Sequence, residues 1–306
     1  MREVITSAAL ALELSLSTVC LVIRFWTWKR VNEGASSVSF TSVPGTLTLL
    51  LTLESGIVHM WTFITTSWTE CSLFSTATTV IVLYLGCQYF ERIWGTRSLV
   101  KYLALLSIAP PLFNFVCYLL YFQFMDPSSA KGVSLLSRRI NGGVPFHVGF
   151  AVAFKQAIPL HTVNIFRGTL KIPIKYIVMP VLVAYTIIGL AFDSTFLILS
   201  WTSLLLSWWY LRFVKSIVAD NLALDGTSTV LKGDKSDSFA FAKFFYPLPI
   251  TNAIANVSSK LYDLFVKIRV LRPFDEEQVA SSNERARNDN DAERRRALAL
   301  RELGSL

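Results

Sequence analysis

Charge is what this sequence has least of. Only 16% of its 306 residues are Asp, Glu, Lys or Arg, against about 25% in an ordinary soluble domain. With 53% hydrophobic residues and a mean hydropathy of +0.48, that shortage excludes a single water-soluble fold, whose core could not take in so many apolar side chains. Histidine is scarcer still. The three present, His59, His147 and His161, form no HExxH and no i,i+4 pair, which excludes the common helical zinc sites. The four cysteines, Cys20, Cys71, Cys87 and Cys117, include no CxxC and lie in or beside apolar segments. They read as small packing residues, and neither a disulfide framework nor a zinc site is supported. No glycine-rich phosphate loop occurs, since Gly142-Gly143 reads as a helix start. No cofactor is therefore expected. A cleavable signal peptide is also missing: Glu13 interrupts the apolar stretch after Arg2, and no A-x-A-like site precedes a polar region.

The charge that is present is lopsided. Residues 102–124 carry none, while charged residues crowd 283–301. Two solvents are implied, lipid for most of the chain and water for its end. The net charge is +8. On a soluble protein this would suggest nucleic acid, but here the basic residues flank apolar runs and fill the tail. That is membrane topology, and nucleic acid is not an expected partner.

A helix needs about 20 residues to cross about 30 Å of hydrocarbon. Residues 5–25, 71–90, 102–124, 176–192 and 194–211 meet this, and 141–160 meets it weakly. Pro110 and Pro111 remove two amide donors from the third, which predicts a bend or local unwinding. Gly149 and Ala153 give 141–160 a small-residue face suited to the inside of a bundle. Residues 44–64 are ambiguous. They are apolar but hold Glu54, Gly56 and His59, and either span or form a re-entrant or interfacial element. The non-spanning reading agrees with charge parity. Six spans from a cytosolic start place Arg92, Arg97, Lys101, Lys155, Lys175, Arg212 and Lys215 on the cytosolic side, and both termini there.

From Lys215 the chain changes character, dividing a transmembrane domain, 1–214, from a tail, 215–306. Residues 219–238 read as a linker, followed by an aromatic cluster, FAFAKFFYPLPI, at 239–250. Residues 252–270 place Ile254, Val257, Leu261, Leu264, Phe265 and Ile268 at helical spacing, an amphipathic helix for the membrane surface or the bundle. Residues 275–295 read as disordered, with a short charged helix over 291–303.

Several residues are candidates for chemistry. Glu91 and Arg92, with Trp94 and Gly95, close the 71–90 span. They are either membrane anchoring or a fixed polar network, because Glu91 near lipid is expensive unless partnered. Intramembrane serine proteolysis needs a serine and a histidine in hydrogen-bond reach from two helices. The last span, 194–213, has no histidine, and 141–156 has no serine. His147 therefore reads as an interhelical hydrogen-bonding residue. Glu13, Glu54 and Lys155 are ionisable near membrane depth, which keeps a membrane transporter as an alternative, alongside an active intramembrane protease.

In chain order stand Trp61-Thr62-Phe63, Glu70, ERIWG at 91–95, Lys155-Gln156, SWWYLRF at 207–213, DSFAFAKFF at 237–245 and DAERRRALAL at 291–300. This series resembles the transmembrane protein 115 family, rhomboid-like proteins of the Golgi membrane, from about residue 43 to the end. The resemblance implies an all-α membrane protein, a rhomboid-like six-helix transmembrane bundle with a cytosolic C-terminal tail. The Gly-x-Ser-Gly and histidine of active rhomboids are lacking, so it implies a pseudoprotease and not an enzyme. It also implies Golgi-to-ER retrograde vesicle transport, with a tethering or coat complex, membrane-protein clients, the lipid bilayer and a homo-oligomer as partners, in the Golgi membrane and also the ER. The expected motif residues are Glu91, Arg92, Trp94, Gly95, Gly142, Gly143, Lys155, Gln156, Trp208, Tyr210 and Arg212. Phe239, Phe241, Phe244 and Phe245 are expected to bind partners.

Overall fold

The computed structural model of the protein describes residues 4–33, 49–126, 129–165, 170–219, 229–246, 248–268 and 276–303. In chain order these form α1 (Val4–Glu33), α2 (Leu53–Gly56), α3 (Thr62–Thr65), α4 (Leu73–Trp94), α5 (Thr96–Gln123), α6 (Ala130–Leu136) and α7 (Val144–Ala157). Then follow β1 (Thr162–Ile165), β2 (Leu170–Pro173), α8 (Val178–Ala191), and α9 (Ser194–Trp209), which closes in a π turn at Tyr210–Val214. The chain continues through β3 (Ser216–Ala219), β4 (Thr229–Lys232), short 3-10 turns at Asp237–Phe239 and Phe241–Phe244, α10 (Leu248–Lys267) and α11 (Glu276–Leu303).

Five helical stretches are long and apolar enough to cross a membrane: Val4–Glu33, Leu73–Trp94, Thr96–Gln123, Ile174–Ala191 and Ser194–Val214. The sixth expected span corresponds to α7, which has 14 residues. It is about 21 Å long at 1.5 Å per residue, short of the hydrocarbon core. Its residues from Val144 to Phe150 are buried, His147 partly. A helix covered by protein instead of lipid need not reach both membrane faces. Residues 49–68 form only short helices and one β-bridge, Leu51 to Ile140, in keeping with the non-spanning reading. Residues 44–48 lie outside the described residues.

Three expectations are corrected. Helix α5 stays helical through Pro110 and Pro111, without the local unwinding that the pair allows. The missing Pro111 amide leaves the Ser107 carbonyl without its helical donor, and the Ser67 hydroxyl donates to that carbonyl at 2.9 Å. A tertiary bond thus satisfies one of the two carbonyls that the prolines leave over. The linker reading of 219–238 gives way at its ends to an antiparallel pair, β3 with β4, flanking residues 220–228, which lie outside the described residues. A second such pair joins β1 to β2. The disordered reading of 275–295 gives way to the 28-residue α11. Opposite charges four apart, such as Arg287 with Asp291 and Asp291 with Arg295, together with alanine, favour helix there.

The chain forms two compact units, one of Met1–Phe150 and Ala184–Leu206, the other of Ala151–Val183 and Ser207–Leu306. In the first, α1 runs antiparallel to α4, with Thr6 bonded to Glu91 at one end and Cys20 beside Cys71 at the other. The buried face of α1 is Thr6, Ala9, Glu13, Ser17, Cys20 and Arg24. Spacings of three and four put all six on one stripe. Leu12, Leu14, Val19, Val22 and Phe25 point outward. The helix is polar within and apolar without, as lipid permits and water would not. The second unit gathers the end of α7, both β pairs, the end of α9 and the residues beyond.

Candidate functional site

The first unit encloses a buried polar chain. Thr66 and Gly142 join the 49–70 segment to the residues before α7, where the Gly142 amide donates to the Thr66 carbonyl at 3.1 Å. This brings the Glu70 carboxylate to the start of α7, where the Gly143 amide donates to Oε1 at 2.7 Å. The first amides of a helix have no partner within it and favour an anion. Gly143 has no side chain to cap them, and Glu70 accepts from one of them, the Gly143 amide, from another element. Gly142 has φ +111, and a Cβ there would meet Glu70 Oε2 at 3.3 Å, so glycine suits both the backbone and the approach.

From Glu70 the chain of bonds runs two ways. The Glu70 amide donates to Ser17 Oγ at 3.0 Å, and Ser17 Oγ donates to Glu13 Oε1 at 3.3 Å. On the other side Thr79 Oγ1 donates to Glu70 Oε1 at 2.9 Å. Thr79 Oγ1 also lies 3.1 Å from His147 Nε2, and His147 Nδ1 bonds the Tyr185 hydroxyl. With Glu70 ionised, one proton order satisfies every atom. Tyr185 donates to Nδ1, Nε2–H donates to Thr79, and Thr79 donates to Glu70. This tautomer is assigned from the bonding pattern. Burial raises the Glu70 carboxyl above the ordinary 4.5, while the Gly143 amide and the Ser75 and Thr79 hydroxyls pull it back. Glu13 Oε2 is buried with no hydrogen-bond partner among the described residues.

A second carboxylate caps a second helix. Glu91, at the end of α4, accepts from the Ile5 and Thr6 amides at 3.0 Å each and from Thr6 Oγ1 at 2.8 Å, at the start of α1. Trp94 packs on Phe90 and Tyr102, with ring centroids 4.1 and 5.3 Å away. Gly95, at φ +73, turns the chain from α4 into α5. Arg92 is exposed.

In the second unit, motifs far apart in sequence meet. Arg212 Nη1 donates to the Ser236 and Asp234 carbonyls at 2.6 and 3.1 Å. Trp208 Nε1 donates to the Phe239 carbonyl at 3.1 Å. Gln156 Nε2 donates to Asp234 Oδ2 at 3.0 Å. Lys155 Nζ donates to the Lys243 carbonyl and lies 3.5 Å from the centre of the Phe244 ring. Gly233, at φ +79, passes so close that a Cβ there would lie 2.1 Å from the Arg212 carbonyl. Tyr210 is buried, and its carbonyl accepts from the Lys215 amide at 2.9 Å. Among the described residues no group of three or more His, Cys, Asp or Glu could hold a metal ion.

Compared with known proteins, residues 8–305 match the model of a family described as eukaryotic integral membrane protein (DUF1751). The chain belongs to that family. Among DUF1751 relatives, human Transmembrane protein 115 is 27% identical over 257 residues, covering 80% of this chain and 66% of the human protein. The Saccharomyces cerevisiae Transmembrane protein 115 homolog is 26% identical over 252 residues, and Arabidopsis thaliana Rhomboid-like protein 19 is 25% identical over 236. Each match covers 72% of this chain and 68% of the relative. The chain therefore spans about two thirds of the length of the human and mouse proteins it matches, 66% and 67%. No solved structure matches it. The fold is that of a rhomboid-like, α-helical, multi-pass membrane protein.

For this DUF1751 chain, the expected motif residues fall into three places. Gly142 and Gly143 sit at the Glu70 cap. Glu91, Trp94 and Gly95 sit at the α1 cap and the turn after it. Lys155, Gln156, Trp208, Tyr210 and Arg212 sit at the junction with residues 233–245. Phe239, Phe244 and Phe245 are buried there, so a docking partner would meet Phe241, which is only half-buried, and the exposed Lys243. Glu54, one of the transport candidates, is exposed on α2. Sequence reasoning missed Thr79, Tyr185, Ser17 and Asp234, which are common residues without a motif. The glycine pair beside a helix start was the available signal for Glu70.

Proposed function

We propose that this protein is a non-catalytic, rhomboid-like membrane scaffold or client-binding protein of the Golgi and ER, acting in Golgi-to-ER retrograde vesicle transport. One observation carries the non-catalytic part. The His147 imidazole is held between Tyr185 and Thr79, and the Thr79 proton is directed to Glu70. In that order Nε2 is a donor and no base faces a nucleophile, whereas serine hydrolysis needs the imidazole to accept the hydroxyl proton. In α9, Ser200 and Ser203 donate to their own helix, at the Leu197 and Leu199 carbonyls. The trafficking part rests on the motif resemblance. The exposed charged residues of α11, among them Glu284, Arg287, Asp291, Arg294 and Arg295, give it a surface for cytosolic tethering or coat proteins.

The membrane part, 1–214, would then carry client recognition and self-association, and the cytosolic part, 215–306, recruitment. Deleting all of 216–306 would also strip the residues that Arg212 and Trp208 hold, so the cleaner test removes 276–306. The expected result is normal membrane insertion with loss of retrograde transport in cells. Unchanged transport would sink the recruitment role. Asn256-Val257-Ser258 is a glycosylation sequon, and a cytosolic tail leaves it unmodified.

A second reading, proton-linked transport, is favoured by Glu13, whose Oε2 is buried without a hydrogen-bond partner among the described residues, beside the Glu70 network. It predicts proton-dependent solute flux in proteoliposomes that Glu13→Gln abolishes. The scaffold reading predicts no flux.

A further inference from the structure

One turn beyond Ser17 on the buried stripe of α1 lies Cys20, and next to Glu70 lies Cys71. Their sulfurs are 3.9 Å apart. Cys20 is fully buried and Cys71 half-buried, so one thiol of the pair is reachable and the other is not. Cys71 sits in a polar setting. Asn141 Nδ2 donates to its sulfur at 3.4 Å, and Arg24 Nη1 donates to its carbonyl at 2.7 Å. The contact with Cys20 and burial push the Cys71 thiol above its ordinary range, while the Arg139 and Arg24 guanidiniums pull it down. The sequence alone supported no disulfide, because 50 residues separate the two and nothing in their spacing pairs them. The antiparallel packing of α1 on α4 supplies the proximity.

We propose that Cys20 and Cys71 are a redox-sensitive pair that closes to a disulfide by exchange with a small-molecule or protein disulfide, entered through Cys71. In the first step the small fraction of Cys71 that has lost its proton to solvent attacks, through its sulfur, one sulfur of the oxidant, so the raised thiol makes entry slow near neutral pH and faster as pH rises. The oxidant S–S bond breaks, and its other sulfur leaves as a thiolate and takes up a proton. In the second step the Cys20 sulfur, its proton lost, attacks Cys71 Sγ in the mixed disulfide and expels the remaining oxidant thiolate, which is protonated. Two protein thiols are oxidised, and one oxidant disulfide is reduced to two thiols. On closing, the sulfurs move from 3.9 Å apart to about 2.05 Å. The bond clamps α1 to the segment that carries Glu70, so it holds Ser17 and Glu13 in the polar chain. Reduction releases that clamp.

The pair is tested on the full chain in detergent, reduced and then exposed to oxidised glutathione over a series of glutathione ratios. Remaining thiols are alkylated in SDS, and the peptides are read by mass spectrometry. The expected product is a Cys20–Cys71 crosslinked peptide, with Cys87 and Cys117 alkylated. In C20S the reaction should stop at a glutathione adduct on Cys71, and in C71S Cys20 should remain a thiol. Alkylation of both Cys20 and Cys71 at every ratio, or a glutathione adduct on Cys71 as the end point in the unaltered chain, overturns the proposal. The unaltered chain decides the question even where a variant does not fold.

Discussion

Two buried ionisable residues outside the spans respond to pH in opposite directions. Burial raises Glu70, so its folded form binds a proton more readily than the unfolded chain. Its contribution to stability is complete below the ordinary 4.5 and is lost as pH rises through its folded value. Lys215 is buried and pushed down from 10.5 to about 6, by burial first and Arg285 second, with Asp234 opposing. Its folded form binds a proton less readily, so its contribution is complete above 10.5 and is lost as pH falls toward about 6. Lys215→Met removes only the second effect. The variant should melt at a higher temperature than the parent, by an amount worth up to a few kcal/mol near pH 6 that shrinks toward pH 10. Tryptophan fluorescence melts in detergent across that range read the difference, and a gap independent of pH would refute the assignment. Neither residue was recognisable beforehand as buried. A lysine after the last span looks like a topology signal, and only the turn at Tyr210–Val214 folds it back under the chain.

At the scale of elements, the two carboxylate caps, Glu70 buried and Glu91 partly exposed, do the same work in different places. Glu91 holds the Ile5 and Thr6 amides in the first turn of α1, and Glu70 holds the Gly143 amide just before α7. Glu91→Ala should cost about 1–2 kcal/mol, typical of a lost helix cap. Amide exchange at Ile5 and Thr6 should speed up while α4 stays protected, and unchanged exchange there would leave Glu91 a mere anchor. Of the two readings that the sequence left open for ERIWG, the fixed polar network is the one the bonds describe. The long apolar stretches Val4–Glu33, Leu73–Trp94, Thr96–Gln123, Ile174–Ala191 and Ser194–Val214 were legible because about twenty apolar residues admit little else. What the sequence hid was direction. Thr6, Ser17 and Cys20 look like ordinary interruptions of an apolar run, and only their spacing of three and four, read with lipid as the solvent, turns them into an inner face. The small-residue face of α7 was legible, and the packing agrees. A Cβ on Gly149 would lie 2.4 Å from Leu106, and one on Gly86 would lie 2.6 Å from the Phe150 ring.

Across the whole molecule, three of the motifs that carried the family resemblance prove to be contact residues, whereas DAERRRALAL lies largely on the surface. SWWYLRF, Lys155-Gln156 and DSFAFAKFF lie far apart in sequence; Trp208 and Lys155 bind the last of them at Phe239 and Lys243, and Arg212 binds the Asp234 and Ser236 carbonyls just before it. Arg212→Ala should weaken that hold by about 2–3 kcal/mol. Trypsin cleavage at Lys235 and Lys243 should then quicken by about tenfold or more, and equal cleavage rates would deny Arg212 the role. The sequence could place these stretches in order but not against one another, because such contacts leave no periodic trace. The inward polar stripe of α1 has a consequence for how the chain is made. When α1 leaves the ribosome, its partners at Cys71 and Glu91 do not yet exist. A lone helix carrying Glu13 and Arg24 toward lipid is a poor membrane resident. Release of the first helix to the bilayer as half of a hairpin, once α4 has been synthesised, would spare it that exposure.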